Sequence, residues 1–201
     1  MLSLTKPSNE QCLSILDARE SAALNYKAVG CLKTGTPPGF NRDKARCVLG
    51  QGQPAWDAAV ESFAKWKFMP ASMVEIKNSG PIELGRVVGV LFKAIVIWSF
   101  NPARILEIHD SKDDEKSTFG FTYGTVRGHV EQGEERFLLA WDHETDTVAY
   151  ELEAVSKPMH LLAWLVYPYA RMMQARFRKE SCEAMVQSVG ELIEAASTVN
   201  W

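Results

Sequence analysis

Three short runs in the last half of the chain restrict its fold more than anything else. Large apolar side chains recur at every second position in Phe119, Phe121 and Tyr123, in Phe137, Leu139 and Trp141, and then in Val148, Tyr150 and Leu152. Successive side chains on a strand point to opposite faces, so each run specifies a strand with one apolar face. Glu151 and Glu153 take the other side of the third strand, and DHETD at 142–146 reads as the hairpin turn before it. After Pro158 the period lengthens, and Val166, Tyr169, Met173, Phe177, Ala184, Val189 and Leu192 fall near one helical stripe. Residues 117–197 are therefore expected to form half of an α+β domain, antiparallel strands closed by a long C-terminal helix. Pro168 marks the first turn of that helix or a kink in it.

Upstream, Ser8 and Gln11 have the spacing of a capping box, which predicts a helix over 8–22. Leu24 to Leu32 reads as a first strand, TGTPPGF as a loop, and Arg46 to Leu49 as a short pairing segment. Trp56, Ala59, Val60, Phe63 and Trp66 form an apolar stripe on a helix over 54–68, whose solvated face carries Asp57, Glu61 and Lys65. Val87 to Phe100 reads as a buried pair of strands, with breaks at NSGP, at Asn101-Pro102 and at the surface turn HDSKDDEK.

With 201 residues, 46% of them hydrophobic, the chain can bury one sizeable core, and a single domain over 1–201 is expected. A net charge of −3 supplies no general basic face for phosphates, so no nucleic-acid partner is expected. Cys12, Cys31, Cys47 and Cys182 form no CxxC pair, which points to reduced thiols and no metal site. The acidic run at 110–115 lacks the alternating ligands and glycine bend of a calcium loop. The first residues lack the basic start and apolar core of a secretory signal, so an intracellular, cytoplasmic location is expected. Val87 to Phe100 is shorter than the ~20 residues of a spanning helix.

Several segments go further than periodicity. FGFTYGTVRGHVEQGEERF at 119–137, SKPMH at 156–160 and YPYARMMQARF at 167–177 resemble the domain-of-unknown-function 1990 family. LNYKAVG at 24–30, VLGQG at 48–52 and NPARILEI at 101–108 resemble it as well, so the likeness covers roughly 24–185. Val130 stands where that family often has proline, a departure that bears on one turn only. The family is similar to the START and birch-pollen-allergen superfamily. The resemblance thus implies a helix-grip, a curved antiparallel sheet wrapped on the long C-terminal helix around a hydrophobic cavity. It also implies a non-enzymatic binder of a small hydrophobic or lipid-like molecule, with no cofactor.

Cavities of that kind are lined by apolar and aromatic side chains with a few polar ones. The candidates here are Trp66, Trp98, Phe121, Tyr123, Phe137, Trp141, Tyr150, Tyr169, Met173 and Phe177, with Arg104 as an anchor for a polar head group and His129 as an orienting group. Any ordinary core would use the same aromatic residues. His129 belongs to a polar concentration with Tyr123, Thr125, Glu131, Glu134, Glu135 and Arg136. The bland reading of this stretch is glycine-permitted bends with charges paired across the ladder. One alternative is an enzyme using His129 or Glu134 for proton transfer, although no recognised catalytic motif is present. Another is peripheral membrane contact through 159–179, where apolar residues adjoin Arg171, Arg176, Arg178 and Lys179.

Overall fold

A computed structural model describes residues 2–78, 80–94, 96–159 and 167–198. Its elements are β1 (Leu2–Ser3), α1 (Asn9–Asp17), α2 (Cys31–Thr34), β2 (Asn41–Gln51), α3 (Gly52–Ala64), β3 (Val74–Lys77), β4 (Val87–Ala94), β5 (Ile97–Lys112), β6 (Lys116–Thr125), β7 (Glu131–Asp142), β8 (Thr147–Pro158) and α4 (Tyr167–Thr198). Seven strands pair antiparallel in the order β2-β8-β7-β6-β5-β4-β3. The short β1 joins at Trp98 and Ser99, where β5 extends beyond the ladder it makes with β6. Register shifts at Val48/Gly50 and Ile105/Glu107 add local twist, and the sheet curls so that α3 and α4 lie against one face. We call this the concave face. The helix α1 covers the other, convex face through Cys12, Leu16, Val87, Leu91 and Phe100.

The alternating runs become β6, β7 and β8, with Phe121, Phe137 and Leu152 in one cross-strand row and Phe119, Leu139 and Tyr150 in the next. Both rows belong to the main core beneath α3 and α4. Rings from the α3 region fill that core: Phe63 stacks on Phe68 at 4.5 Å, and Phe68 meets Phe137 at 4.8 Å. The grip helix is fastened at its middle, where Ser181 Oγ donates to the Phe68 carbonyl at 2.7 Å and shares a 2.8 Å hydrogen bond with the Tyr150 hydroxyl. A second link, Ser62 Oγ to Ser188 Oγ at 2.9 Å, ties α3 to α4.

Local expectations fared unevenly. The capping box forms in full, yet α1 ends at Asp17 rather than near 22. Tight turns replace its last part, with the Arg19 N–H on the Leu16 carbonyl and the Glu20 N–H on that of Asp17, and the Arg104 guanidinium donates to the Arg19 and Glu20 carbonyls at 3.2 and 2.8 Å. The segment expected as a first strand is an irregular run with one bridge, Leu24 to Val126, followed by α2. The helix expected over 54–68 ends at Ala64, and Trp66 follows in a left-handed conformation with φ 59°. The break expected at Asn101-Pro102 is absent. Pro102 lies one residue beyond the β6 ladder, so no neighbouring strand needs the N–H that proline lacks. Pro168 is in the first turn of α4, and Val166 lies outside the described residues.

Gly133 illustrates how tightly the sheet is built. Its φ is +145°, and a Cβ there would lie 1.9 Å from the Val155 carbonyl oxygen. Gly133→Ala should therefore lower the unfolding free energy by about 2–3 kcal/mol. Urea titration checks this, and an unchanged midpoint would show that the backbone can retreat.

Candidate functional site

Strand parity divides the GEERF segment into two devices. Glu134 and Arg136 point to the convex face. There Glu134, 3% exposed, accepts from the Tyr26 hydroxyl at 2.9 Å, the Gly30 N–H at 2.6 Å and the Leu32 N–H at 3.3 Å. Gly124 makes room for this arrangement, since a Cβ on it would lie 2.4 Å from the Tyr26 hydroxyl. Arg136 donates to Glu153 at 2.6 Å, and Arg42 holds the other oxygen of the same carboxylate at 2.7 Å. These residues clamp the 24–34 segment onto the back of the sheet and tie the strands β2, β8 and β7 together through Glu153.

Tyr123 and Glu135 turn the other way. A single cross-strand row runs Ile105, Tyr123, Glu135, Ala154, Asp43 over the concave face, one step beyond the Phe121–Phe137 row. The Tyr123 hydroxyl donates to Glu135 Oε2 at 2.5 Å. At the far end of the row Arg171 from α4 forks both oxygens of Asp43 at 2.5 and 2.7 Å, and Arg178 stands 3.3 Å from the same group. Gln174, on the same helix, donates to Glu131 Oε1 at 2.5 Å. Arg171, Gln174 and Arg178 in the first half of α4 thus meet a polar band, whereas Met185 and Val189 in its second half are buried in the core.

Electrostatics differ along that band. The Arg171 hydrogen bonds hold the Asp43 carboxyl below its ordinary range. Glu135 has no such partner: among the described residues no Lys, Arg or His stands within ion-pair distance of it or of Glu131. Burial pushes the Glu135 carboxyl up to about 7, against the smaller opposing effect of the Tyr123 hydrogen bond. Burial raises Glu131 too, and raises the Tyr123 hydroxyl well above its usual value. Both glutamates are half-buried, and Ala154, also half-buried, forms the floor between Glu135 and Asp43.

The residues expected to line a cavity are distributed unequally. Trp66, Phe121, Phe137 and Tyr150 are buried and pack ring on ring, with Trp66–Phe121 at 5.3 Å and Phe121–Phe137 at 5.5 Å; Tyr123 continues this cluster into the polar band. Met173 and Phe177 pack on it from α4, and Tyr169 is half-buried at the start of the same helix. Trp141 lies at the opposite end of the concave face against Trp56. Trp98 and Arg104 do not lie on the concave face. Trp98 packs with the convex cluster under α1, and Arg104 is occupied by the carbonyls that end that helix.

His129 sits in the β6–β7 turn, where its Nδ1 accepts the Glu131 N–H at 2.9 Å and burial holds its pKa down to about 3. That imidazole is a weak base at neutral pH, and Glu134 is committed to its three donors, so neither is placed for the proton transfer considered above. The cations expected to meet lipid are also engaged: Arg171 and Arg178 with Asp43, Arg176 with Glu180, and Lys179 with Glu183. The apolar part of that segment, 160–166, lies outside the described residues. Among the described residues no helix is long and apolar enough to cross a membrane.

Sequence pattern gave no sign that Asp43, Ala154, Arg171 and Gln174 belong to the polar band. Glu135 shares the parity of Phe137, and that was the available signal for it.

A curled antiparallel sheet gripping one long C-terminal helix, with a polar band between them, is a helix-grip fold. Residues 25–184 match the family described as Domain of unknown function (DUF1990), and the chain belongs to it. A UPF0548 protein of Dictyostelium discoideum is 36% identical over 75% of this chain and 74% of its own length. A UPF0548 protein of Arabidopsis thaliana is 27% identical over 94% of this chain and 97% of its own. Among solved structures, a hypothetical protein from Helicobacter pylori aligns with a TM-score of 0.51 at 9% identity, over 82% of this chain and 95% of its own, a likeness of fold alone.

Proposed function

We propose that this chain binds a small, largely hydrophobic or lipid-like molecule between the sheet and the first half of α4, without transforming it. Its polar end group lies at the Tyr123–Glu135 pair. The observation that supports this most is the position of Glu135. A carboxyl placed on an apolar face without a basic partner costs stability, and one kept beside a tyrosine hydroxyl and a bare alanine floor is suited to meet a ligand. Three carboxylates, Asp43, Glu131 and Glu135, face two guanidiniums there, so the band favours a hydrogen-bond donor such as a hydroxyl or a protonated amine.

A suitable probe is 1-aminoanthracene, an apolar fluorophore with one amino group. Wild type should bind it and retain it unchanged, and Ala154→Phe should weaken binding at least about tenfold by filling the floor. If neither this probe nor any co-purified lipid is held in native mass spectrometry, the reading fails. Recovery of a chemically altered ligand would instead favour an enzyme with Glu135 as its acid or base.

Glu135 also predicts a pH dependence. Its folded pKa of about 7 exceeds the ordinary 4.5, so between those values the folded protein holds a proton that the unfolded chain releases. Stability contributed by this group is therefore lost as pH rises through that window. Relative to Glu135→Gln, wild type should lose about 1–2 kcal/mol between pH 5 and 8, after allowance for solvent reaching a half-buried group. Parallel urea titrations of the two proteins across that range would reject the assignment if their difference stays flat.

A further inference from the structure

One pair of reactive side chains on the concave face takes no part in the proposed ligand site. Cys47 projects from β2, and Cys182 lies on the grip helix one residue after Ser181. Cys47 and Tyr150 are cross-strand neighbours, and the Tyr150 hydroxyl holds Ser181, so two adjacent helix positions lie over two adjacent sheet positions. The Cys47 thiol donates to the Cys182 carbonyl oxygen at 3.7 Å, so its sulfur lies against the Cys182 residue. The Ser181 contacts to Tyr150 and Phe68 keep this part of the helix in place. Both thiols are half-buried, within reach of a small oxidant, whereas Cys12 and Cys31 are buried in separate clusters with α1 and α2.

We propose that Cys47 and Cys182 form a redox modification site, at which a hydroperoxide converts the thiol pair into a disulfide that fastens α4 to the edge strand β2. The neighbouring Cys47 thiol holds the pKa of Cys182 down, while the same contact raises that of Cys47, so Cys182 is the attacking sulfur. Its thiolate attacks a peroxide oxygen, the O–O bond breaks, and a sulfenic acid and one water are left. The Cys47 sulfur then attacks the Cys182 sulfur, the S–O bond breaks, and hydroxide departs with the Cys47 proton as a second water. The pair loses two electrons and two protons, and hydrogen peroxide is reduced to water. The bond would secure the helix at the junction between its polar-facing and core-covering halves.

The test treats the folded wild-type protein with hydrogen peroxide, alkylates remaining thiols and maps peptides without reduction. The expected product is an intramolecular Cys47–Cys182 link, with Cys12 and Cys31 alkylated and a melting temperature higher by roughly 5–10 °C, reversed by dithiothreitol. In Cys47→Ser the peroxide should leave Cys182 as a sulfenic acid that dimedone traps, with no rise in melting temperature. Four intact thiols after treatment, a link between molecules, or over-oxidation of Cys182 in wild type without a link would each overturn the proposal. None of these outcomes depends on whether the groove binds a ligand.

Discussion

Glu134→Ala is expected to lower the unfolding free energy by about 3–5 kcal/mol, the range for removing one partner of a buried charged group. The carboxylate is the common acceptor for the Tyr26 hydroxyl and two backbone N–H groups at the start of α2, and the Tyr26 and Leu32 donors are buried once the 24–34 segment is closed on the sheet. Glu134→Gln keeps one acceptor oxygen and loses the charge, so about 1–2 kcal/mol is expected from it. Urea titration of both variants, with limited proteolysis near residue 30, measures the effect. The segment should become cleavable in the alanine variant before the sheet unfolds. A loss below about 1 kcal/mol would mean that the clamp is dispensable and would reopen a functional role for this residue.

Glu134 and its neighbour Glu135 show how far sequence reasoning reaches. Alternation located β6, β7 and β8 because strand period is a local property, and it carried the apolar faces of all three. It also contained the information that Glu134 and Glu135 face apart, yet composition alone presents them as one polar concentration. What lies opposite each face is not local. Asp43 and Arg171 are 128 positions apart, and nothing in the period of either element pairs them. Arg171, Arg178 and their neighbours therefore resembled a lipid-facing cluster until Asp43 was seen beneath two of them. Arg104 and Trp98 were misplaced for a related reason. Both lie on β5, a strand long enough to pair with three others and bulged at Ile105/Glu107, so period alone does not say which face meets α4 and which meets α1. The Leu24–Leu32 segment has the apolar content of a strand but makes a single bridge at Leu24 and gives the Gly30 and Leu32 N–H groups to Glu134.

The second large effect is expected from a residue that no periodic pattern marks. Phe68 follows α3 outside any helix or strand and is 0% exposed. Its ring touches Phe63, Trp66, Phe121, Phe137 and Tyr150, and its carbonyl accepts the Ser181 hydroxyl that fastens the grip helix. Phe68→Ala leaves the backbone hydrogen bond available but opens a space among rings that cannot all collapse inward, because three of them stand on paired strands. The expected loss is about 3–5 kcal/mol by urea titration. The void should be dry and should take up benzene, which would raise the variant's melting temperature and leave wild type unchanged. Binding of 1-aminoanthracene at Tyr123, Glu135 and Ala154 should persist in the variant, because those groups lie one row beyond the filled core. If affinity for that probe falls together with stability while the protein remains folded, the ligand is seated among the aromatic rings and the polar band is not its site.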